Sequence, residues 1–496
     1  MHKSASNNVL SWLARKNSAL GIKIKRYYQL ILVKPEVFFI TLAAFFGIII
    51  VFLVPPFQAP DEQSHFYRSF EISNLEIFPQ KLNIDGHARY GSVLPTSLKQ
   101  FESDVKSNIA GNPAAKFNLK IYKQYIGQKL DPANKTSIAF EGAAVYSPIA
   151  YVPQVVGMSA GKLLGLSPLL IFWLGRIANL AFFILLSVIA IRLLPFAKWA
   201  LVFVLMNPMT LFLAASLSGD ALIIAAATLY TALVLKLASK KEMISKKEMV
   251  YAIILLCILA LTKPTNIVFG LLLLLIPIKS FANKKAFFGF LAIALGLSLL
   301  VLVAWNLSVK DALQAVGAIQ RQGLNINPIA QAHFILSNPI TYIKDLVHNY
   351  VIITSGYSGS GVFWSYFGVF GWLDSSLPLW TVSLYMVGLL IAILYQIGRG
   401  VNLMVWQKIV LLISLLSLSL ITITALYANY TPVGQNIIDG IQGRYFIPFA
   451  LVGTALFLGD KKILQISNKK MGVVAAIILS IVFIVTLAIL ALRYYK

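Results

Sequence analysis

The stretch VFFITLAAFFGIIIVFLVPPFQAPDEQSHFYRSFEIS, residues 37–73, decides the fold. Its first part, Val37–Val54, is apolar and carries no charge. A helix crosses a bilayer core with about 20 such residues, so the run reads as a transmembrane span. Pro55 and Pro56 end it, because proline lacks the backbone N–H and clashes with the preceding turn. Asp61 and Glu62 follow at once, Asp61 only seven residues beyond Val54. In a chain poor in acids, a carboxylate pair just above a helix end is an anchor or a catalyst.

Similar apolar runs recur along all 496 residues. The chain is 58% hydrophobic and 12% charged, with a mean hydropathy of +0.78, whereas a soluble protein carries about 25% charged residues. The short alternating segments of a β-barrel are missing. The expected fold is an all-α polytopic membrane bundle of about 11–12 transmembrane helices, with a large first extracytoplasmic loop carrying short amphipathic helices.

The net charge of +24 raises the question of nucleic acid. Lys and Arg sit in short clusters between apolar runs, which is the positive-inside pattern, and no basic domain interleaved with aromatics is found. Membrane lipids are the expected partners and nucleic acid is not. Cys257 is the single cysteine, which excludes an internal disulfide framework and a cysteine metal site.

Charge places the segments. Residues 1–36 form a basic cytoplasmic N-terminal segment and 37–54 the first helix, running outward. Residues 55–147 hold nine of the eighteen acids and must then be extracytoplasmic. Loops this long without function are uncommon. Within this loop HFYRSFEISNLEIF is expected to lie along the membrane surface. Transmembrane helices follow over 148–307, a second extracytoplasmic loop over 308–380, and C-terminal helices over 381–496. Arg399, Lys461 and Lys462 mark inner helix ends, and Arg321 belongs to the second loop. Residues 199–217 are expected as one span, as is 445–459. Residues 249–278 read as two short spans broken at Thr262–Thr265. The proline-interrupted stretch after Tyr146 reads as a crossing or as an interfacial element. The C-terminal RYYK comes out extracytoplasmic. No internal repeat of the kind that builds transporters is evident.

Each candidate residue has a plain alternative. Asp61 fits a general base held near a membrane surface, and it fits equally a helix N-cap after Pro60. Glu62 and His65 are the candidates for a divalent metal, on a weak Asp–x₃–His spacing. Arg68 meets lipid phosphate or pairs with Glu71 or Glu62. Tyr146 is a site residue or an interface anchor. Arg176, three residues before Asn179 in an apolar run, faces a cavity or snorkels to the interface. Lys263, in a Thr-Lys-Pro-Thr break, suits a phosphate or pairs with Asp220. In GQNIIDGIQGRYFIP, residues 434–448, Gln442 offers amide hydrogen bonds and Arg444 a fork for phosphate; a head-group anchor is the alternative.

Taken together, PPFQAPDEQSHFYRSFEIS, YSPIAYVPQVVG, Ser218-Gly219-Asp220, TKPT, FGVFGWLDSSLP and QGRYFIP resemble a family of bacterial polytopic membrane proteins of largely uncharacterised function. That family is grouped with the GT-C glycosyltransferase superfamily, and the resemblance runs from about Val37 to Pro448. It implies a lipid-linked sugar donor, such as a polyprenyl-phosphate sugar, used on the extracytoplasmic face of the bacterial cytoplasmic (inner) membrane. It places Asp61 at the loop-one catalytic carboxylate with Glu62 beside it. Some superfamily members need a divalent metal and others do not, so no cofactor is carried over. The expected activity is glycosyl transfer to a cell-envelope glycan or glycolipid. A lipid-linked glycan flippase and a non-catalytic scaffold in polysaccharide assembly are the alternatives. No nucleotide-binding motif is present.

Overall fold

Two membrane-side prolines, Pro35 and Pro55, bracket the first helix, which runs Pro35–Leu53 and buries Phe38, Phe39 and Phe46 inside the bundle. Proline at a helix start loses only an N–H that has no partner there anyway. This computed structural model describes residues 29–107, 109, 111–320, 323–355, 361–396, 403–458 and 463–496. The basic residues 1–28, with Arg321, Arg399, Lys461 and Lys462, lie outside them.

Seven helices among the described residues are long and apolar enough to cross a membrane: Pro35–Leu53, Pro168–Leu193, Asp220–Ser239, Lys284–Ser308, Leu379–Gln396, Val405–Tyr430 and Asn468–Tyr495. Four further passages between the same two faces are short or broken. The expected single span at 199–217 is two helices, Lys198–Leu205 and Pro208–Ala214. Asn207 caps the second by accepting from Met209 N at 3.0 Å, and donates to the Tyr366 carbonyl at 3.0 Å. A break at membrane depth is tolerated when its polar groups are satisfied inside protein. Residues 445–459, also read as one span, begin as a 3₁₀ turn, Gly443–Phe449, followed by Ala450–Ala455.

The break at Lys263 is as the sequence reading has it. Lys246–Thr262 is α-helical and Pro264–Leu275 is a 3₁₀-helix. At about 2.0 Å per residue a 3₁₀-helix reaches further than an α-helix at about 1.5 Å. Twelve residues therefore return roughly the distance that the seventeen before them cover.

Hydrogen bonds fix the two faces. On one, Asn468 joins the Val33 carbonyl and the Trp199 indole, and Ile244 N meets the Ser280 carbonyl. On the other, Phe117 N donates to the Tyr494 carbonyl, Trp305 to the Val145 carbonyl and Trp372 to the Phe57 carbonyl. The first loop, the second loop and the end of the last helix thus share a face. The stretch after Tyr146 stays there too. Its helix, Val152–Leu163, is held at its start by Gln154 on the Leu217 and Ser218 carbonyls and at its end by Lys162 on the Ser73 carbonyl. It makes no crossing.

The first loop holds more than short helices. A three-stranded antiparallel sheet, β1 (Gln80–Ile84), β2 (His87–Pro95) and β3 (Lys135–Ala139), runs in the order β1-β2-β3. Asp85-Gly86, both at positive φ, turns β1 into β2 with Ile84 opposite His87, as two-residue hairpins prefer. The helix Glu62–Ser73 turns its apolar residues into the protein. Phe66 and Phe70 are buried with Phe57 and Phe101 of the loop and Phe172 of the helix Pro168–Leu193, in a core that joins the loop to the bundle.

Candidate functional site

The neighbours Asp61 and Glu62 part company. Asp61 stands in the left-handed region, φ 57°, which Asp tolerates better than most residues. Its carbonyl accepts from Ser64 N and His65 N, while its side chain makes no cap bond. The N-cap alternative therefore fails, and the carboxylate, 62% exposed, is free to face Arg444.

Glu62 turns inward. Arg176 grips it with Nε to Oε1 at 2.8 Å and Nη2 to Oε2 at 2.7 Å, both side chains fully buried. The remaining Arg176 donors go to the carbonyls of Val51, Val54 and Pro55. Leu217 N and Ala59 N complete the carboxylate. Nothing is left over on either side for a substrate or a metal. Glu62 is thus not a second catalytic carboxylate, and Arg176 is not a phosphate contact. Their bond joins the end of the first helix, the start of the Asp61 helix and the loop that leads to Asp220. Asn179 holds that loop as well, through the Ser216 and Ser218 carbonyls.

Arg68 is also structural. It is fully buried on Glu71 and donates to the carbonyls of Ile77 and Tyr146. It positions the backbone of Tyr146 and does not meet lipid phosphate.

What remains converges. Arg444, 6% exposed, sends Nη2 to Asp61 Oδ2 at 3.3 Å and Nη1 toward Asp220 Oδ2 at 3.7 Å. Lys263 does not pair with Asp220 within 4 Å; its Nζ lies 4.4 Å from the ring centre of Tyr445. The Arg444 guanidinium lies 5.2 Å from the same ring. Two cations and two carboxylates thus balance around one tyrosine. Gln442, half-buried, precedes them with its Oε1 buried and unpartnered. Residues 434–448 can deliver Arg444 here because Gly443 N donates to Ser365 Oγ at 2.7 Å, flush against the backbone of Tyr366.

On the other side of Asp61, His65 Nδ1 shares a 2.8 Å hydrogen bond with the Tyr151 hydroxyl, and its ring centre is 6.4 Å from that of Tyr146. Burial lowers the His65 pKa; Asp61, Asp220 and Glu62 oppose this and Arg444 adds to it. Burial also raises that of Tyr146, helped by Tyr445, Asp220 and Asp61. Glu62 is committed to Arg176, so the Glu62–His65 metal pair does not form. Among the described residues no three His, Cys, Asp or Glu side chains come together to hold a metal.

Behind Arg444 a pocket lined by Asp220, Lys263, Asn266, Thr422, Tyr445 and Phe449 leaves about 10 Å³, room for about one water.

Residues 44–452 match the model of a family described as "Predicted membrane protein (DUF2142)". The chain belongs to the DUF2142 family. No curated protein and no solved structure matches it.

Of the residues singled out in the sequence of this DUF2142 chain, the structure brings Asp61, Asp220, Lys263, Arg444 and Tyr146 to one place. The sequence reading passes over Tyr151 and names Tyr445 only in the head-group-anchor alternative. The second tyrosine of YSPIAY, and the tyrosine beside the arginine in QGRYFIP, are the signals that point to them.

Proposed function

We propose that this protein is an integral-membrane glycosyltransferase of the GT-C type, acting at the extracytoplasmic face of a bacterial inner membrane. The donor is a sugar linked to a polyprenyl phosphate, and the acceptor a hydroxyl on a cell-envelope glycan or glycolipid. One observation carries the reading: an exposed carboxylate, Asp61, lies 3.3 Å from a buried arginine, Arg444, at the first-loop face of a membrane bundle.

That pair has the parts the reaction needs. Asp61 takes the proton of the acceptor hydroxyl as its oxygen attacks the anomeric carbon. The bond from that carbon to the phosphate oxygen breaks, and the lipid phosphate leaves with the electron pair. Arg444 and Lys263 hold the charge that develops. Attack from the face opposite the phosphate inverts the anomeric centre. Glu62 and Arg176 keep Asp61 and Asp220 in place without touching the substrate.

The test is sugar transfer by the purified protein from a polyprenyl-phosphate sugar, with Asp61→Asn beside it. Turnover lost in the variant, with the protein intact, is the expected result. Near-normal transfer at saturating donor removes Asp61 from the role of base. A labelled lipid moved across liposomes with no glycosidic bond made favours a flippase instead.

A further inference from the structure

Four arginines are buried among the described residues, and Arg444 stands apart by the length of its contacts. Arg68 closes on Glu71 and on the carbonyls of Ile77 and Tyr146 at 2.5 to 3.1 Å, although its Nε has no partner. Arg176 spends every donor on close partners, at 2.6 to 3.1 Å. Arg493 does nearly the same, on Asp374 and on the carbonyls of Ala115, Asn112 and Ile109. Arg444 is as buried, yet its partners stand off at 3.3 Å (Asp61), 3.5 Å (Tyr445 hydroxyl) and 3.7 Å (Asp220), and its Nε has none. Lys263 beside it rests its ammonium on the Tyr445 ring, and that ammonium makes no hydrogen bond or ion pair among the described residues.

Contacts that all stand off at 3.3 Å or more are what a fork-shaped anion site shows when its anion is away. The pocket behind Arg444 holds about one water, too little for a phosphate. An anion must therefore arrive from the front, where Asp61 sits. Asp61 is 62% exposed and yields its place easily, since ion pairs open to solvent are weak.

We propose that a phosphate group displaces Asp61 from Arg444, so that the carboxylate becomes free to act only once the phosphate is bound. On the transferase reading, on which this rests, the donor must bind before the acceptor hydroxyl can be deprotonated. Asp61 is then both base and stopper. The resting pair with Arg444 keeps the base occupied, and the donor's own phosphate releases it.

The test is binding, measured on the purified full-length protein in nanodiscs with a short-chain prenyl phosphate as probe and inorganic phosphate as a second arm. Asn also tolerates the left-handed backbone at position 61, and no cap bond is lost, so Asp61→Asn leaves the fold in place. This variant is expected to bind prenyl phosphate about two- to fivefold more tightly than wild type, the weight of an exposed ion pair removed as competitor. Arg444→Gln is expected to lose binding at least about tenfold. A gain in Asp61→Asn with inorganic phosphate as well assigns the exchange to the phosphate group itself; a gain with prenyl phosphate alone assigns it to the lipid-borne phosphate. Unchanged or weaker prenyl phosphate binding in Asp61→Asn overturns the proposal. Sugar transfer by wild type is scored separately: transfer without the binding gain leaves the enzyme and removes the exchange, and the gain without transfer does the reverse.

Discussion

The Glu62 carboxylate and the Arg176 guanidinium form a bidentate ion pair at 2.7 and 2.8 Å in which neither side chain is exposed. Charges out of water are tolerated only when every lone pair and proton finds a partner, and here backbone groups of Val51, Val54, Pro55, Ala59 and Leu217 supply the rest. One pair thereby sets the positions of both site carboxylates, Asp61 through its chain neighbour and Asp220 through the loop before it.

Glu62→Gln leaves Arg176 buried without its counter-charge. Removing one partner of such a pair destabilises by about 3–5 kcal/mol. Thermal unfolding of the purified protein in detergent reads this directly. A loss below about 1 kcal/mol, the range of an exposed pair, contradicts the assignment of Glu62 as a structural lock.

Asp61→Asn has the opposite profile one residue away. Its side chain caps nothing and is mostly exposed, so stability is expected to move by no more than about 0.5 kcal/mol. Sugar transfer is expected to fall about 10²–10⁴-fold, the weight of a general base. Unfolding and turnover measured on the same preparations separate the two neighbours. A stability loss in Asp61→Asn as large as in Glu62→Gln joins them again as one structural unit.

Adjacent acids look alike in sequence, and only the fold divides them. Hydropathy and charge were enough to find the seven long helices, the break at Lys263 and the large first loop, because the bilayer imposes one period and one sign rule. They were not enough at Asn207-Pro208, where a break is hidden by an apolar surround and satisfied by a distant carbonyl at Tyr366. The Asp85-Gly86 hairpin has a local signal, an Asp-Gly pair, that a reading of the loop as short helices leaves out. Arg176 and Arg444 are the hardest pair. Both are single arginines in or beside apolar runs, and which one is committed depends on partners 114 residues away in one case and 383 in the other.

The His65 side chain ties stability to pH. Burial depresses its pKa below 6.5, with Arg444 adding and Asp61, Asp220 and Glu62 opposing. The folded state thus prefers the neutral ring, while the unfolded chain takes up a proton near pH 6.5. This contribution is fully present above that pH and is lost as pH falls through the lowered folded value. Melting temperature is expected to drop as the pH falls below about 6.5 in wild type. The slope there is expected to flatten in His65→Gln, which cannot titrate. An unchanged slope in that variant assigns the acid sensitivity elsewhere.

Gly443→Ala tests how Arg444 is delivered. A Cβ at 443 falls 2.1 Å from Tyr366 N and 2.1 Å from the Val362 carbonyl oxygen. Both are backbone atoms, so no rotamer change relieves the clash, and the 2.7 Å bond from Gly443 N to Ser365 Oγ must open. Overpacking of this kind costs about 1–3 kcal/mol. The displaced 3₁₀ turn takes Arg444 with it, so prenyl phosphate binding is expected to weaken together with stability. Gly453→Ala is the control on the same segment: it sits inside the Ala450–Ala455 helix with its nearest neighbour, a Leu415 methyl, at 4.0 Å. Alanine there gains helix propensity, by up to about 1 kcal/mol, and phosphate binding is expected to stay at the wild-type level. Equal binding in both variants places the phosphate away from Arg444.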